Sequence, residues 1–112
     1  MINVLNDSRF NEDTVNKITV IKATDVTADT YYFRPGQVLK YHRHPNGDQV
    51  FLVLKGQGRF YLDDGTEKVF DVAEGAIILA PAGVWHQLIN TGTVDLVASQ
   101  VTKINAGMEA RA

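Results

Sequence analysis

Short stretches rich in β-branched and aromatic residues recur along this chain, separated by glycine, proline, aspartate and asparagine. Stretches of this kind at regular spacing, each closed by turn residues, are typical of an all-β sandwich or barrel. No segment carries the longer apolar period of a helix. The pattern predicts nine strands, at residues 17–22, 30–34, 37–44, 49–55, 59–62, 67–72, 76–80, 84–89 and 96–104.

The two ends of the chain and one internal strand predict which parts of the domain are exposed and which are covered by a second molecule. Residues 1–16 are polar and weakly patterned, which indicates an N-terminal arm, and residues 105–112 form a small polar tail that we expect to be frayed. The strand at Gln49–Lys55 is apolar on both faces, as in a strand that lies inside a sandwich or beneath a second molecule. We therefore expect a single domain over residues 1–112 that forms a homodimer.

Composition removes several classes of function. The chain has a net charge of −2 and no cluster of lysine and arginine, which argues against nucleic acid or an anionic membrane as a partner. It has no cysteine, which excludes disulfides and thiolate metal sites. No basic segment followed by an apolar run opens the sequence, and no apolar stretch approaches membrane-spanning length. We therefore expect a cytoplasmic protein that acts on a small molecule.

The histidines carry the candidate chemistry. There are only three, His42, His44 and His86. On a strand, residues two apart point to the same face and lie roughly 6.6 Å apart, so His42 and His44 can converge on one ion. His86 would approach from a neighbouring strand. Three neutral imidazoles that leave coordination positions open suit a divalent transition metal, namely iron, manganese, nickel, copper or zinc.

The spacing of these residues resembles the two motifs of the cupin family. Motif one is a glycine, five residues, His-x-His and a later glycine, and motif two is a glycine, five residues, Pro-x-Gly, two residues, a histidine, three residues and an asparagine. The matching positions are Gly36, His42, His44 and Gly56 in the first motif, and Gly75, Pro81, Gly83, His86 and Asn90 in the second. The resemblance implies a small single-domain cupin, which is a jelly-roll barrel, or double-stranded β-helix.

One ligand position departs from the family pattern. Most metal-binding cupins carry glutamate where this chain has Gln49, counted back from Gly56. A glutamine still offers a carbonyl oxygen but brings no negative charge, so we expect weaker metal affinity. Asp48 is the rival ligand, although counting forward from it reaches Lys55 rather than Gly56. Asp48 also lies in a Pro-Asn-Gly turn, where aspartate is common for reasons of turn geometry.

Strand parity nominates the residues that would contact a substrate. Lys40 has the same parity as His42, Phe51 that of Gln49, and Leu88 that of His86. The resulting hypothesis is a metalloenzyme that acts on a small organic molecule by dioxygenase-like or related Lewis-acid chemistry. The alternatives are a non-catalytic module that binds or senses a sugar or another small ligand, and a metal-free fold kept for assembly. The sequence nominates no catalytic residue.

Overall fold

The computed structural model describes residues 1–112, and every regular element in it is a β-strand. The ten strands, labelled in chain order, are β1 (Asn16–Lys22), β2 (Val26–Phe33), β3 (Val38–Arg43), β4 (Gln49–Lys55), β5 (Gln57–Asp63), β6 (Glu67–Ala73), β7 (Ile77–Ala80), β8 (Trp85–Ile89), β9 (Leu96–Lys103) and β10 (Glu109–Ala110). No helix of the length and apolarity needed to cross a bilayer is present.

The strands form two five-stranded antiparallel sheets. The first sheet has the order β1-β2-β9-β4-β7, and the second has the order β10-β3-β8-β5-β6. Most neighbours in a sheet are therefore distant in sequence, because the chain passes back and forth between the two layers. This arrangement confirms the predicted all-β jelly roll, and it sets β3 and β8, which carry the histidines, side by side.

The hydrophobic core fills the space between the sheets. Phe51 of β4 and Phe60 of β5 come from different sheets and meet at 5.0 Å between ring centroids. Each strand that borders the core contributes alternate residues, as the period of two requires. The ten residues of the buried cluster are Tyr31, Phe33, Phe51, Val53, Phe60, Val72, Ala80, Leu88, Leu96 and Ala98.

The second strand begins earlier than the sequence pattern indicates. We expected residues 23–30 to form a polar connection, but β2 starts at Val26 and pairs with β9 along its whole length. Threonine and tyrosine fit a pleated sheet as well as aliphatic residues do. Two of the polar residues that suggested a loop, Thr27 and Asp29, lie on the inner face of this strand, where Asp29 is 6% exposed.

The C-terminal tail is held in place, which differs from the frayed segment that we expected. Glu109 and Ala110 form β10, which pairs with Arg43 and His42 of β3. Two side-chain contacts also hold the tail, since Arg111 bonds to Asp63 at 2.6 Å and its guanidinium lies over the Tyr41 ring. Ala106, at the start of the tail, is buried. These contacts are made with distant residues, so the local sequence does not reveal them.

Candidate metal centre

The structure brings the three histidines together. His42 lies on β3 directly opposite His86 on β8, and His44 follows the end of β3. One ring nitrogen from each residue lies within 4.8 Å of the others. Two nitrogens bonded to one ion at about 2.1 Å can be at most about 4.2 Å apart, so small side-chain rotations bring all three into bonding range.

The ring orientations leave one nitrogen of each histidine free. Nδ1 of His42 lies 2.8 Å from the Lys40 carbonyl oxygen, and Nδ1 of His44 lies 2.6 Å from that of Gly107. His86 makes a longer contact of the same kind, 3.4 Å to the Val84 carbonyl oxygen. A carbonyl only accepts, so each Nδ1 carries the proton and each Nε2 presents a lone pair. A backbone carbonyl behind the ring is a common way to orient a metal-binding histidine.

Two of these Nε2 atoms are buried with no hydrogen-bond partner, those of His44 and His86. A buried polar atom without a partner costs about 1–3 kcal/mol, so native structures rarely keep one without a reason. A bound cation would satisfy both lone pairs. The donor set therefore fits a divalent transition metal, as the sequence predicted.

A β-bulge in β3 sets His42 opposite His86 and turns Lys40 outward. Leu39 pairs with Leu88 and His42 pairs with His86, so three steps along β3 oppose two along β8. An inserted residue reverses the parity of everything on one side of it. Our prediction that Lys40 points inward with His42 is therefore wrong, and Lys40 is exposed at the rim of a cavity instead.

The environment of the cluster keeps the imidazoles neutral. His86 is 1% exposed, and its ring stacks parallel to Phe60 and lies 5.4 Å from the Phe51 ring. Burial, and after it the charge on the neighbouring His42, lowers the pKa of His86 from its ordinary 6.5 to about 3. Burial also lowers the pKa values of His42 and His44. Metal ligation requires neutral imidazole, so the protonation state that burial favours here is the one that could hold an ion.

These shifts predict the pH dependence of the metal-free protein. Between pH 6.5 and about 3 the unfolded chain protonates His86 while the folded chain does not, so stability falls as the pH is lowered through that window. Each such group contributes a slope of up to about 1.4 kcal/mol per pH unit. Urea denaturation between pH 7.5 and 4.5 measures this slope. Replacing His86 by leucine should reduce this slope by the contribution of one titrating group. An unchanged slope would contradict the lowered pKa of His86.

Gln49 and Asp48 have separate environments. Gln49 is 1% exposed, and its Nε2 donates to Thr102 Oγ1 at 2.8 Å, which leaves its Oε1 buried and unpartnered. Asp48 is exposed, and its carboxylate accepts from the Ala82 amide at 2.8 Å. Asp48 thus ties the turn of the first motif to the turn of the second. Gln49 has the free acceptor atom, and Asp48 does not face the histidines.

The other predicted contact residues serve the core. Phe51 and Leu88 are both 0% exposed and belong to the buried cluster, and neither lines a cavity. Phe51 touches the candidate centre only through its packing against His86. Both side chains lie on the inner face of their sheets, as strand parity predicted, but the core around them is filled by other side chains.

Two cavities meet at His44. The larger, of about 470 Å³, is mainly apolar and reaches His42 past Leu39 and Met108. The smaller, of about 210 Å³, is polar and is lined by Asp29, Gln100 and Thr102 among others. Lys17 borders both cavities. This polar wall was not predicted from the sequence, although the alternation of Thr27, Asp29, Tyr31 and Phe33 is a strand signal that places Asp29 inside.

Residues 30–102 match a family model described as a cupin domain. An uncharacterized double-stranded β-helix protein from Klebsiella pneumoniae superposes with a TM-score of 0.90 at 23% identity, over 100% of this chain and 96% of that one. Oxalate oxidase in complex with glycolate superposes with a TM-score of 0.77 at 19% identity, over 89% of this chain and 56% of that one. These likenesses concern the fold.

Relatives by sequence are longer proteins. Auxin-binding protein 1 of Arabidopsis thaliana is 37% identical over 70 residues, which are 57% of this chain and 35% of that protein. An uncharacterized protein of Acanthamoeba polyphaga mimivirus is 32% identical over 62 residues, 55% of this chain and 39% of that protein. The chain therefore spans little more than a third of the length of these relatives.

Proposed function

The chain belongs to the cupin domain family, and we propose that it is a metal-binding cupin in which His42, His44 and His86 hold one divalent transition-metal ion. The observation that carries this proposal is the shared orientation of the rings. Each Nδ1 faces a backbone carbonyl, and the ring nitrogens available for ligation converge within 4.8 Å. Gln49 Oε1, which is buried and unpartnered, is the proposed additional ligand.

We propose that the protein acts as a metalloenzyme on a small organic molecule in the barrel. A bound ion would polarise a carbonyl group or acidify water, and a redox-active one would support dioxygenase-like oxidation. The residues of the chain orient the ring nitrogens, exclude water with Phe51 and Phe60, and leave His44 open to two cavities. Movement of the His44 side chain would be needed to connect these cavities with the buried ring nitrogens.

A non-catalytic module that binds a small ligand or sugar is the second candidate. Gln49 favours it, because the amide brings no negative charge and a weakly held ion serves structure or ligand binding more readily than turnover. Metal analysis of the purified protein, with oxygen consumption and product detection on chelating enols and diols, separates the two. One ion per chain with turnover supports the enzyme. One ion per chain with ligand-induced stabilisation and no product supports the binding module.

We also propose that the protein is a homodimer, with the outer face of the first sheet as the contact. A row of apolar residues crosses that sheet from edge to edge, in the paired order Leu79, Val50, Val101, Ala28 and Ile21. Leu79 is 54% exposed and Ile21 is 54% exposed. A contiguous apolar patch of this kind on a soluble protein marks an interaction surface.

Light scattering at micromolar concentration tests the dimer. We expect the wild-type protein to show twice the mass of the chain, and Leu79→Lys to shift it toward the monomer, because the charge would be buried in an apolar contact. Val69→Lys is the matched control, since Val69 is 50% exposed but lies on the other sheet, in β6. A monomeric wild type, or equal effects of the two substitutions, would refute the proposed face.

A further inference from the structure

The C-terminal tail, residues 105–112, reaches the proposed metal centre through one backbone atom. The carbonyl oxygen of Gly107 lies 2.6 Å from Nδ1 of His44, which is the shortest of the three contacts between a ring and a carbonyl in the cluster. The carbonyls behind the other two rings each come from the residue two positions before the histidine itself. His44 alone therefore depends on a distant segment for its orientation.

A turn after β9 aims this carbonyl at the ring. Asn105 and Gly107 both have left-handed backbone, with φ angles of 61° and 75°, so the chain changes direction sharply there. Ala106, between them, is 4% exposed, and its carbonyl accepts a hydrogen bond from the Asn46 amide at 2.9 Å. His44 and Asn46 thus bind consecutive carbonyls of the tail, which joins the turn after β3 to the turn after β9.

The far end of the tail is fastened to the second sheet by Arg111. The backbone amide of Arg111 donates to the Tyr41 carbonyl at 3.2 Å, and its guanidinium donates to Asp63 at 2.6 Å. The guanidinium also lies over the rings of Tyr41 and Trp85, at 4.4 and 5.2 Å from their centroids. Arginine suits such a place because its planar group can stack on rings while it pairs with a carboxylate. One side chain thereby joins the tail to β3, β5 and β8.

We propose that Arg111 is a positioning residue for the metal centre: by fastening the tail, it keeps the Gly107 carbonyl behind His44 and so holds Nε2 of that ring toward the ion. The inference rests on the metal-binding function proposed above. Without this carbonyl the ring is free to rotate, since cavities lie on two sides of it. Coupling of this kind is reciprocal, so bound metal also holds the tail in place.

The affinity for Zn²⁺, measured by competition with a chromophoric chelator, tests the role of Arg111. Arg111→Ala should weaken binding about three- to tenfold. This is less than the 10–100-fold that complete loss of an outer partner costs, because β10 and the ion pair between Arg43 and Glu109 remain. Arg59→Ala is the matched control, since Arg59 also forms an ion pair on the second sheet, with Asp71, but does not contact the tail. We expect it to bind Zn²⁺ as the wild type does.

A second variant acts on the same carbonyl from within the turn. Left-handed backbone is strained in a residue with a side chain, so Gly107→Ala should shift the turn and move the carbonyl away from His44. We expect a loss of Zn²⁺ affinity of about tenfold or more. Gly75→Ala brings similar strain to a turn outside the histidine cluster and should leave the affinity unchanged.

Hydrogen exchange measures the coupling in the other direction. We expect Zn²⁺ to slow exchange of the backbone amides in residues 105–112 by about tenfold or more, because the ion favours the fastened tail by the same factor as the tail favours the ion. A peptide from β6, at the opposite edge of the second sheet, should exchange at the same rate with and without Zn²⁺. A tail that served stability alone would also be indifferent to the ion.

The outcomes distinguish this inference from the function on which it rests. If the wild-type protein binds Zn²⁺ and Arg111→Ala binds it equally well, or if Arg59→Ala loses as much affinity, the role of Arg111 is overturned and the metal proposal stands. Equal exchange of the tail with and without Zn²⁺ overturns that role as well. If the wild-type protein binds no Zn²⁺, both proposals are overturned.

Discussion

His86→Leu is expected to abolish metal binding while leaving the metal-free protein at least as stable as the wild type. Loss of an outer partner of a metal ligand costs about 10–100-fold in affinity, so loss of a ligand should cost at least about 100-fold. Stability is expected to hold because leucine suits a site between Phe51 and Phe60, and because the buried Nε2 without a partner disappears. If His86 served packing alone, its replacement would lower the stability of the metal-free protein and leave metal binding unchanged.

Thermal unfolding with and without Zn²⁺ measures both effects. A ligand at 100 times its dissociation constant stabilises the folded state by about 2.7 kcal/mol, so the wild type should melt at a clearly higher temperature with metal and His86→Leu should not. Gln87→Leu is the control, since it makes the same kind of change on the neighbouring residue of β8 outside the histidine cluster. A metal-dependent shift that persists in His86→Leu would exclude His86 as a ligand.

Gly56→Ala is expected to destabilise the protein far more than Gly75→Ala, although both glycines have positive φ angles, of 85° and 94°. Left-handed backbone costs a residue with a side chain about 1–2 kcal/mol, and Gly75→Ala should pay only this, because nothing lies within 4 Å of the added Cβ. At Gly56 the Cβ would clash with the Asp95 backbone oxygen and lie 3.0 Å from the Leu96 Cα. We expect a total loss of at least about 4 kcal/mol there.

Urea denaturation of the two variants beside the wild type measures the difference. The comparison isolates the close approach of two backbones, because both substitutions carry a similar conformational strain. Equal losses of stability would show that the last glycine of the first motif serves backbone conformation alone. A larger loss at Gly56 would show that it also lets the start of β9 pack against the turn between β4 and β5.

The sequence alone predicted the fold and the grouping of the three histidines, because both depend on local signals. Strand period and turn residues are local signals, and they predicted nine of the ten strands to within two residues at each end, except at the start of β2. The placement of His42, His44 and His86 followed from the spacing within two motifs. Each motif is a strand–turn unit whose geometry changes little with the rest of the chain.

The remaining features depend on contacts that local sequence does not encode. The bulge that turns Lys40 outward is a property of the pairing between β3 and β8. Strand β10 is held by Arg111 and Ala106 through contacts with distant residues. Asp29 and Gln100 are polar because they line a cavity, and a polar inner face makes a strand resemble a loop. The residues that line the cavities were therefore the hardest to predict.

X-ray absorption spectroscopy of the protein reconstituted with Zn²⁺ tests the central claim most directly. We predict one ion per chain, with scattering from three imidazole rings and metal–nitrogen distances of about 2.0–2.1 Å. A spectrum without imidazole scattering, or a protein that fails to retain zinc in stoichiometric amount, would contradict the assignment of His42, His44 and His86 as the ligands.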